Sequence, residues 1–223
     1  MKLTKRKIII ISSIFIVLAS AAVYILYVLN FIGHSEYSNA DFGIEPYVST
    51  IDKDGDGVDD QTDILQSARE YILTNPKYKS EYYDTGYPTG NYGVCTDLVA
   101  ISMKNSGYDL MLLVNEDIIK NPDDYDIEEP DINIDFRRVK NLKVYFEHTA
   151  QSLTTDLSDI EQWHGGDIII FTDHIGIVSD KRNSKGMPYI IHHAYPGQPS
   201  YEEDVFGGAV GFYNDIVGHY RVS

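Results

Sequence analysis

The 223-residue chain contains one cysteine, Cys95, in the phrase Gly93-Val94-Cys95-Thr96-Asp97. A thiol has a reference pKa of about 8.5, so it needs activation to act as a nucleophile at neutral pH. A helix N-terminus or a nearby imidazolium lowers that value and produces thiolate. Gly93 permits an abrupt entry into a helix, and Cys95 is expected in its first turn. A base must then come from elsewhere. His174 is the candidate, at the opening of the strand-like run Ile175-Gly176-Ile177-Val178. A third group should orient that base. His192 and His193 lie on the next strand, where neighbours face opposite ways, so only one of them can point at His174. His34, His148, His164 and His219 show no partner at useful spacing and read as polar surface residues.

A second constellation is acidic. Asp52, Asp54, Asp56, the Val58 carbonyl, Asp60 and Asp63 occupy positions 1, 3, 5, 7, 9 and 12 of a loop with Gly57 at position 6. That spacing offers the oxygen-rich, flexible shell that calcium takes. Position 12 is Asp where a longer Glu is usual, which should weaken bidentate binding. No convincing helix precedes the loop, since Gly43 and Pro46 interrupt it. A solitary structural Ca2+ loop is expected.

Several elements must position these groups. Ile64, Leu65, Ala68, Tyr71 and Ile72 repeat at helical spacing until Asn75-Pro76. Cys95–Asn105, 110–119 and 138–148 read as further helices. The period then changes to strand at 167–171, 175–179, 189–193 and 217–222. Helices followed by an antiparallel sheet make an α+β layout. Tyr82, Tyr83, Tyr87 and Tyr92 crowd the loop before Cys95, either to line a groove or to pack it.

The chain begins with Lys2, Lys5, Arg6 and Lys7, followed by an uncharged apolar run from Ile8 to Ile32. About 20 such residues span a bilayer. Ala19-Ser20-Ala21 offers a signal-peptide cleavage site, but the apolar run continues well past it. One uncleaved transmembrane helix is therefore expected, with the N-terminus cytoplasmic and the remainder outside the cell membrane. The domains read as a basic segment 1–7, an anchor 8–32, a tether 33–51, the calcium-type loop 52–63 and a catalytic domain 64–223. All 34 acidic residues follow the apolar run, and the chain carries a formal net charge of −16. Such a surface excludes nucleic acid as a partner. One cysteine excludes an intrachain disulfide framework.

The phrases Gly166-Asp167-Ile168-Ile169-Ile170-Phe171 and His174-Ile175-Gly176-Ile177-Val178 resemble the strand core of NlpC/P60 and related papain-like peptidoglycan hydrolases. More closely, the chain resembles the bacterial DUF1287 family. Matching segments are 93–99, 131–142, Trp163-His164-Gly165-Gly166-Asp167, 174–180, Ile191-His192-His193, Glu202-Glu203-Asp204-Val205 and Gly218-His219-Tyr220-Arg221. The resemblance runs from about residue 60 to the end. It implies a papain-like fold, helices packed on an antiparallel sheet, with Cys95 as nucleophile, His174 as base and His192 as the third polar residue. Phe136 stands where family members often carry histidine, so no catalytic role is expected there.

The expected function is an extracellular, membrane-anchored thiol hydrolase that cuts an amide bond, by analogy in the peptide stems of the cell wall. Two alternatives stay open. One is a calcium-stabilised, non-catalytic binding or assembly module with an inert thiol. The other is an acyl transferase that uses the same thioester.

Overall fold

The structure is a computed structural model that describes residues 4–207 and 215–222, so residues 1–3 of the basic segment lie outside the described residues. A helix, α1 (Lys5–Val28), is long and apolar enough to cross a membrane and has no buried residue. A membrane anchor and a signal sequence both fit it. The chain then continues through β1 (Tyr37–Ser38), α2 (Asp60–Leu73), β2 (Lys77–Tyr78), β3 (Tyr92–Gly93), α3 (Cys95–Asn105), α4 (Leu110–Lys120) and α5 (Val139–Thr149). It closes with β4 (Gln151–Ser152), β5 (Ile168–Phe171), β6 (Ile175–Arg182), β7 (Pro188–Ile191), β8 (Glu202–Glu203) and β9 (Ile216–Arg221). The fold is mixed α/β, with an antiparallel sheet in the order β4-β9-β5-β6-β7-β8 and β1 also paired to β6. A separate parallel pair joins β2 to β3, inside the segment that reads as loop from sequence.

The sheet is covered on both faces, and side-chain alternation divides the cover. Ile168, Ile170, Ile175, Ile177, Ile191 and Tyr220 pack with the helices, against Ile64, Leu98, Val99, Met103, Leu142 and Phe146. Ile169, Phe171, Val178 and Ile190 face the other way and meet Trp163 and Val205 from loops. This double burial is why β5 reads as an unbroken apolar run.

Residues 33–51 are not a free tether. Tyr37 pairs with Arg182 and Ser38 with Lys181. The Arg182 guanidinium is fully buried and donates to the Asn39 side chain at 2.7 Å and to the Gly186 carbonyl at 3.1 Å. Ile44 and Ser49 are buried as well. The absence of any hydrophobic period hides this docking, because it rests on a two-residue strand pairing, on single polar contacts such as Asn39 with Arg182 and Ser49 with Asp59, and on isolated buried residues.

The Asp167 carboxylate ties the sheet to α2. It accepts from Arg221 Nε and Nη2 at 2.7 Å each and from His219 Nε2 at 3.0 Å. Gln61 Nε2 and the His164 backbone N–H add bonds of 2.8 and 2.9 Å. Burial alone would raise this carboxyl, but the bonds from His219 and Arg221 hold it below the usual value of 3.8. His219 is therefore no surface residue: it is buried, and Trp163 lies parallel to its ring with centroids 3.7 Å apart.

Removing the charge of Asp167 leaves Arg221 buried without a counter-ion. Asp167→Asn should lower the unfolding free energy by about 3–5 kcal/mol, read from urea titrations by Trp163 fluorescence. In the native chain the contribution of a lowered carboxyl is complete above pH 3.8 and is lost as pH falls through the native-state value. An unchanged urea midpoint in Asp167→Asn at pH 7 would show that the cluster does not hold the sheet.

Candidate active site

Helix α3 starts abruptly. Val94 is extended, with φ −134°, and Cys95 is the first helical residue. Asp97, in the same first turn, accepts the Val94 N–H at 2.9 Å. The same carboxylate is gripped by Arg137, through Nε at 2.6 Å and Nη2 at 3.0 Å. Both side chains are buried. Gly93 leaves the room this turn needs: a Cβ there would stand 2.5 Å from the Tyr71 hydroxyl and 3.0 Å from the Asp97 Cβ. The motif Gly93-Val94-Cys95-Thr96-Asp97 thus fixes the sulfur by shape on one side and by an ion pair on the other.

Cys95 is half-buried, and its sulfur is faced by the backbone N–H groups of Ile175, Thr96 and Cys95 itself. Two donors from the helix start and one from β6 favour an anionic sulfur. Burial nevertheless dominates and pushes the thiol up to about 11. The low pKa expected from the helix start does not hold in this structure, because the desolvation is larger than the donors can offset.

The Ile175 N–H places the thiol beside the residue that follows His174. His174 is buried, and its imidazole lies well below the usual 6.5, through burial first and then through His192 and His193. Its Nε2 lies 2.8 Å from His192 Nδ1. His192 Nε2 in turn lies 2.8 Å from Glu203 Oε1. Strand register explains this row. Ile177 pairs with Ile191, and Ile190 pairs with Glu203. The three side chains are then diagonal neighbours across the ends of β6, β7 and β8, close enough for long groups to meet. Gly176 makes the approach possible. A Cβ there would lie 2.9 Å from the Ile191 carbonyl oxygen and 3.2 Å from the His192 Cβ.

Of the two adjacent histidines, His192 meets His174. His193 is buried too, and its Nδ1 lies 3.1 Å from the Tyr71 hydroxyl. Tyr78 and Tyr201 meet its ring edge to face. Three other histidines also have partners that spacing did not reveal. His148 Nδ1 lies 2.6 Å from Asp117, His34 Nδ1 lies 3.4 Å from Asp204, and His164 is half-buried against Tyr47. The tyrosines before Cys95 mostly pack the loop. Tyr83 stacks on Tyr92 and lies under Arg137, Tyr87 bonds Asp109 and packs on Phe136, and only Tyr82 is largely exposed. Phe136 is core.

In the acidic loop, carboxylate oxygens of Asp52, Asp54 and Asp56 lie within 4.8 Å of one another. Asp52 accepts from the N–H groups of Gly55, Asp56 and Gly57, and Gly57 has φ +95°. Asp63 faces the same cluster: burial, then the charges of Asp54 and Asp56, raise its carboxyl. Asp60 differs from the sequence reading. It is buried, with one oxygen 2.7 Å from the Lys53 N–H and the other bonded to the Tyr108 hydroxyl. The cause is that α2 begins at Asp60, capped by Asp59, and not near residue 63. Val58 shows its N–H bonded to Asp56.

The sequence reading gives Glu203 no site role and names it only within the segment Glu202-Glu203-Asp204-Val205. Its strand is two residues long, too short for a period, and the neighbouring Glu202 and Asp204 give no reason to single it out. Alternation along β8 would have separated them.

Comparison with known proteins gives one family. The model of DUF1287, described as "Domain of unknown function (DUF1287)", matches residues 65–222. A curated relative, "Uncharacterized protein YijF" of Escherichia coli (strain K12), is 34% identical over 171 residues, covering 71% of this chain and 80% of its own length. No solved structure matches. Cys95, His174, His192 and Glu203 fall within the matched span, as do Asp167 and its partners His164, His219 and Arg221, and the chain belongs to the DUF1287 family.

Proposed function

We propose that this protein is a papain-like thiol hydrolase, tethered to the outer face of the cell membrane by α1, that cleaves an amide bond in peptidoglycan peptide stems. The observation that carries the chemistry is the convergence of the Cys95 sulfur, the Ile175 N–H and the His174–His192 pair at one end of the sheet. The substrate follows only by analogy with wall-cutting families of similar strand motifs.

In this reading the resting pair is a neutral thiol and a neutral imidazole. The sulfur attacks the substrate carbonyl as His174 takes its proton. That proton then passes to the leaving amine, the C–N bond breaks and a thioester remains. Water attacks the thioester, His174 takes a proton from it, and the acid leaves as the thiol is restored. His192 orients His174, and the Cys95 N–H stabilises the oxyanion. An amine in place of water would give acyl transfer from the same intermediate, and product analysis with an added amine separates the two.

One observation favours a second reading. A thiol at about 11 is inert at neutral pH, as in a calcium-stabilised binding module. Catalysis settles the choice: Cys95→Ala and His174→Ala should each remove hydrolysis of purified wall fragments, read by mass spectrometry, and retain the wild-type melting temperature within a few degrees. Substantial cleavage by Cys95→Ala would end the thiol reading. Alkylation of the resting protein by iodoacetamide should be slow at pH 6 and climb with pH towards a midpoint near 11. A fast plateau between pH 6 and 8 would mean a preformed thiolate–imidazolium pair instead.

Calcium at the loop is part of the proposal. Asp52, Asp54, Asp56 and Asp63 fit an oxygen-liganded cation, Asp60 is committed elsewhere, and bound Ca2+ would relieve the repulsion that raises Asp63. Binding to the folded state alone adds about 2.7 kcal/mol at a hundredfold excess over Kd. Millimolar calcium added to EDTA-stripped protein should therefore raise Tm by several degrees, and Asp52→Ala with Asp54→Ala should abolish the rise. No rise in the unaltered chain would reduce the loop to a solvated acidic turn.

A further inference from the structure

Glu203 is 6% exposed, and among the described residues no lysine or arginine reaches its carboxylate. Its neighbours in sequence are committed differently. Glu202 bonds Arg69 at 2.7 Å and Lys181 at 3.2 Å. Asp204 takes the Asn183 side chain at 3.0 Å, the Gly207 N–H at 2.7 Å and His34 at 3.4 Å. Glu203 Oε1 faces His192 Nε2 at 2.8 Å and Gln198 Nε2 at 3.2 Å, while Oε2 accepts from Asn30 Nδ2 at 2.5 Å. A buried carboxylate without a cation is costly. The imidazole it meets is the one that touches His174.

We propose that Glu203 is the positioning residue that sets the tautomers of both histidines and so decides which nitrogen of His174 takes the thiol proton. The logic runs one hydrogen at a time. A carboxylate only accepts, so His192 carries its hydrogen on Nε2. Its Nδ1 is then a lone pair, and this faces His174 Nε2. His174 must donate from Nε2 and is left with its lone pair on Nδ1. The base atom is therefore Nδ1, and His192 acts as a fixed relay between it and Glu203. Gln198 and Asn30 donate to the carboxylate and keep it turned to His192. Gln198 itself is locked by the Ala194 N–H at 2.7 Å and the Ser200 carbonyl at 2.8 Å.

This deepens the thiol reading and rests on it for catalytic meaning, but the tautomer order stands on geometry alone. Glutamine at 203 can donate to His192 Nε2, which reverses the order: His192 then holds its hydrogen on Nδ1, and His174 is driven to Nδ1–H with no lone pair for the thiol. The test uses the full chain in detergent with 15N-labelled histidine, each resonance assigned by single histidine substitution. The unaltered protein should show Nε2–H on both His174 and His192. Glu203→Gln should move His192 to Nδ1–H and lower kcat on wall fragments by at least about tenfold, with KM little changed. Glu203→Asp, still a pure acceptor, should keep the Nε2–H order. A Nδ1–H signal on His192 in the unaltered chain, or no change of tautomer in a folded Glu203→Gln, would overturn the assignment. If the tautomers follow this order and Cys95→Ala still cleaves, the thiol mechanism fails while the role of Glu203 in the histidine pair stands.

Discussion

The Asp167 carboxylate has no solvent exposure, and every oxygen lone pair on it must be matched by protein. Removing an ion from water costs several kcal/mol, which only close and numerous bonds offset. Here they come from four residues in three parts of the chain: Gln61 on α2, His164 before β5, and His219 and Arg221 on β9. The group can be buried only when α2 and β9 have both closed on β5. That condition couples the helical layer to the sheet, and the strands beside His174, His192 and Glu203 belong to this same sheet. Asp97 with Arg137 repeats the device at smaller scale. There the buried pair locks the first turn of α3 and, with it, the sulfur.

The site is a product of register. Two strand ends and a two-residue edge strand place His174, His192 and Glu203 on one diagonal, and Gly176 gives the histidines room. Opposing demands meet at the sulfur. Burial raises the thiol, while the backbone N–H groups of Ile175, Thr96 and Cys95 pull it down. The backbone donors around the sulfur offset only part of that penalty, and the resting group is a neutral thiol.

Much of this was legible in the sequence. α3 begins at Cys95 as its pattern demands, because Leu98, Val99, Ser102 and Met103 share a buried face. The four principal strands were visible through their β-branched runs. What escaped was fixed by polar contacts between distant segments, which leave no period. His219 looked like a surface residue because its partners, Asp167 and the Thr154 carbonyl, lie 52 and 65 positions away. Asp60 looked like a ligand because spacing cannot show that a helix starts under it. The choice between His192 and His193 needed the register of β7, which alternation alone leaves two-fold ambiguous.

The route of residues 30–49 also sets how far the domain can travel. Were residues 33–51 free, they would extend by roughly 60 Å and let the site range over a deep shell. Instead the chain meets the folded part at Asn30, two residues beyond the end of α1, and again at His34, Tyr37 and Asn39. If α1 serves as the proposed anchor, so short a leash holds the folded part close against the membrane surface.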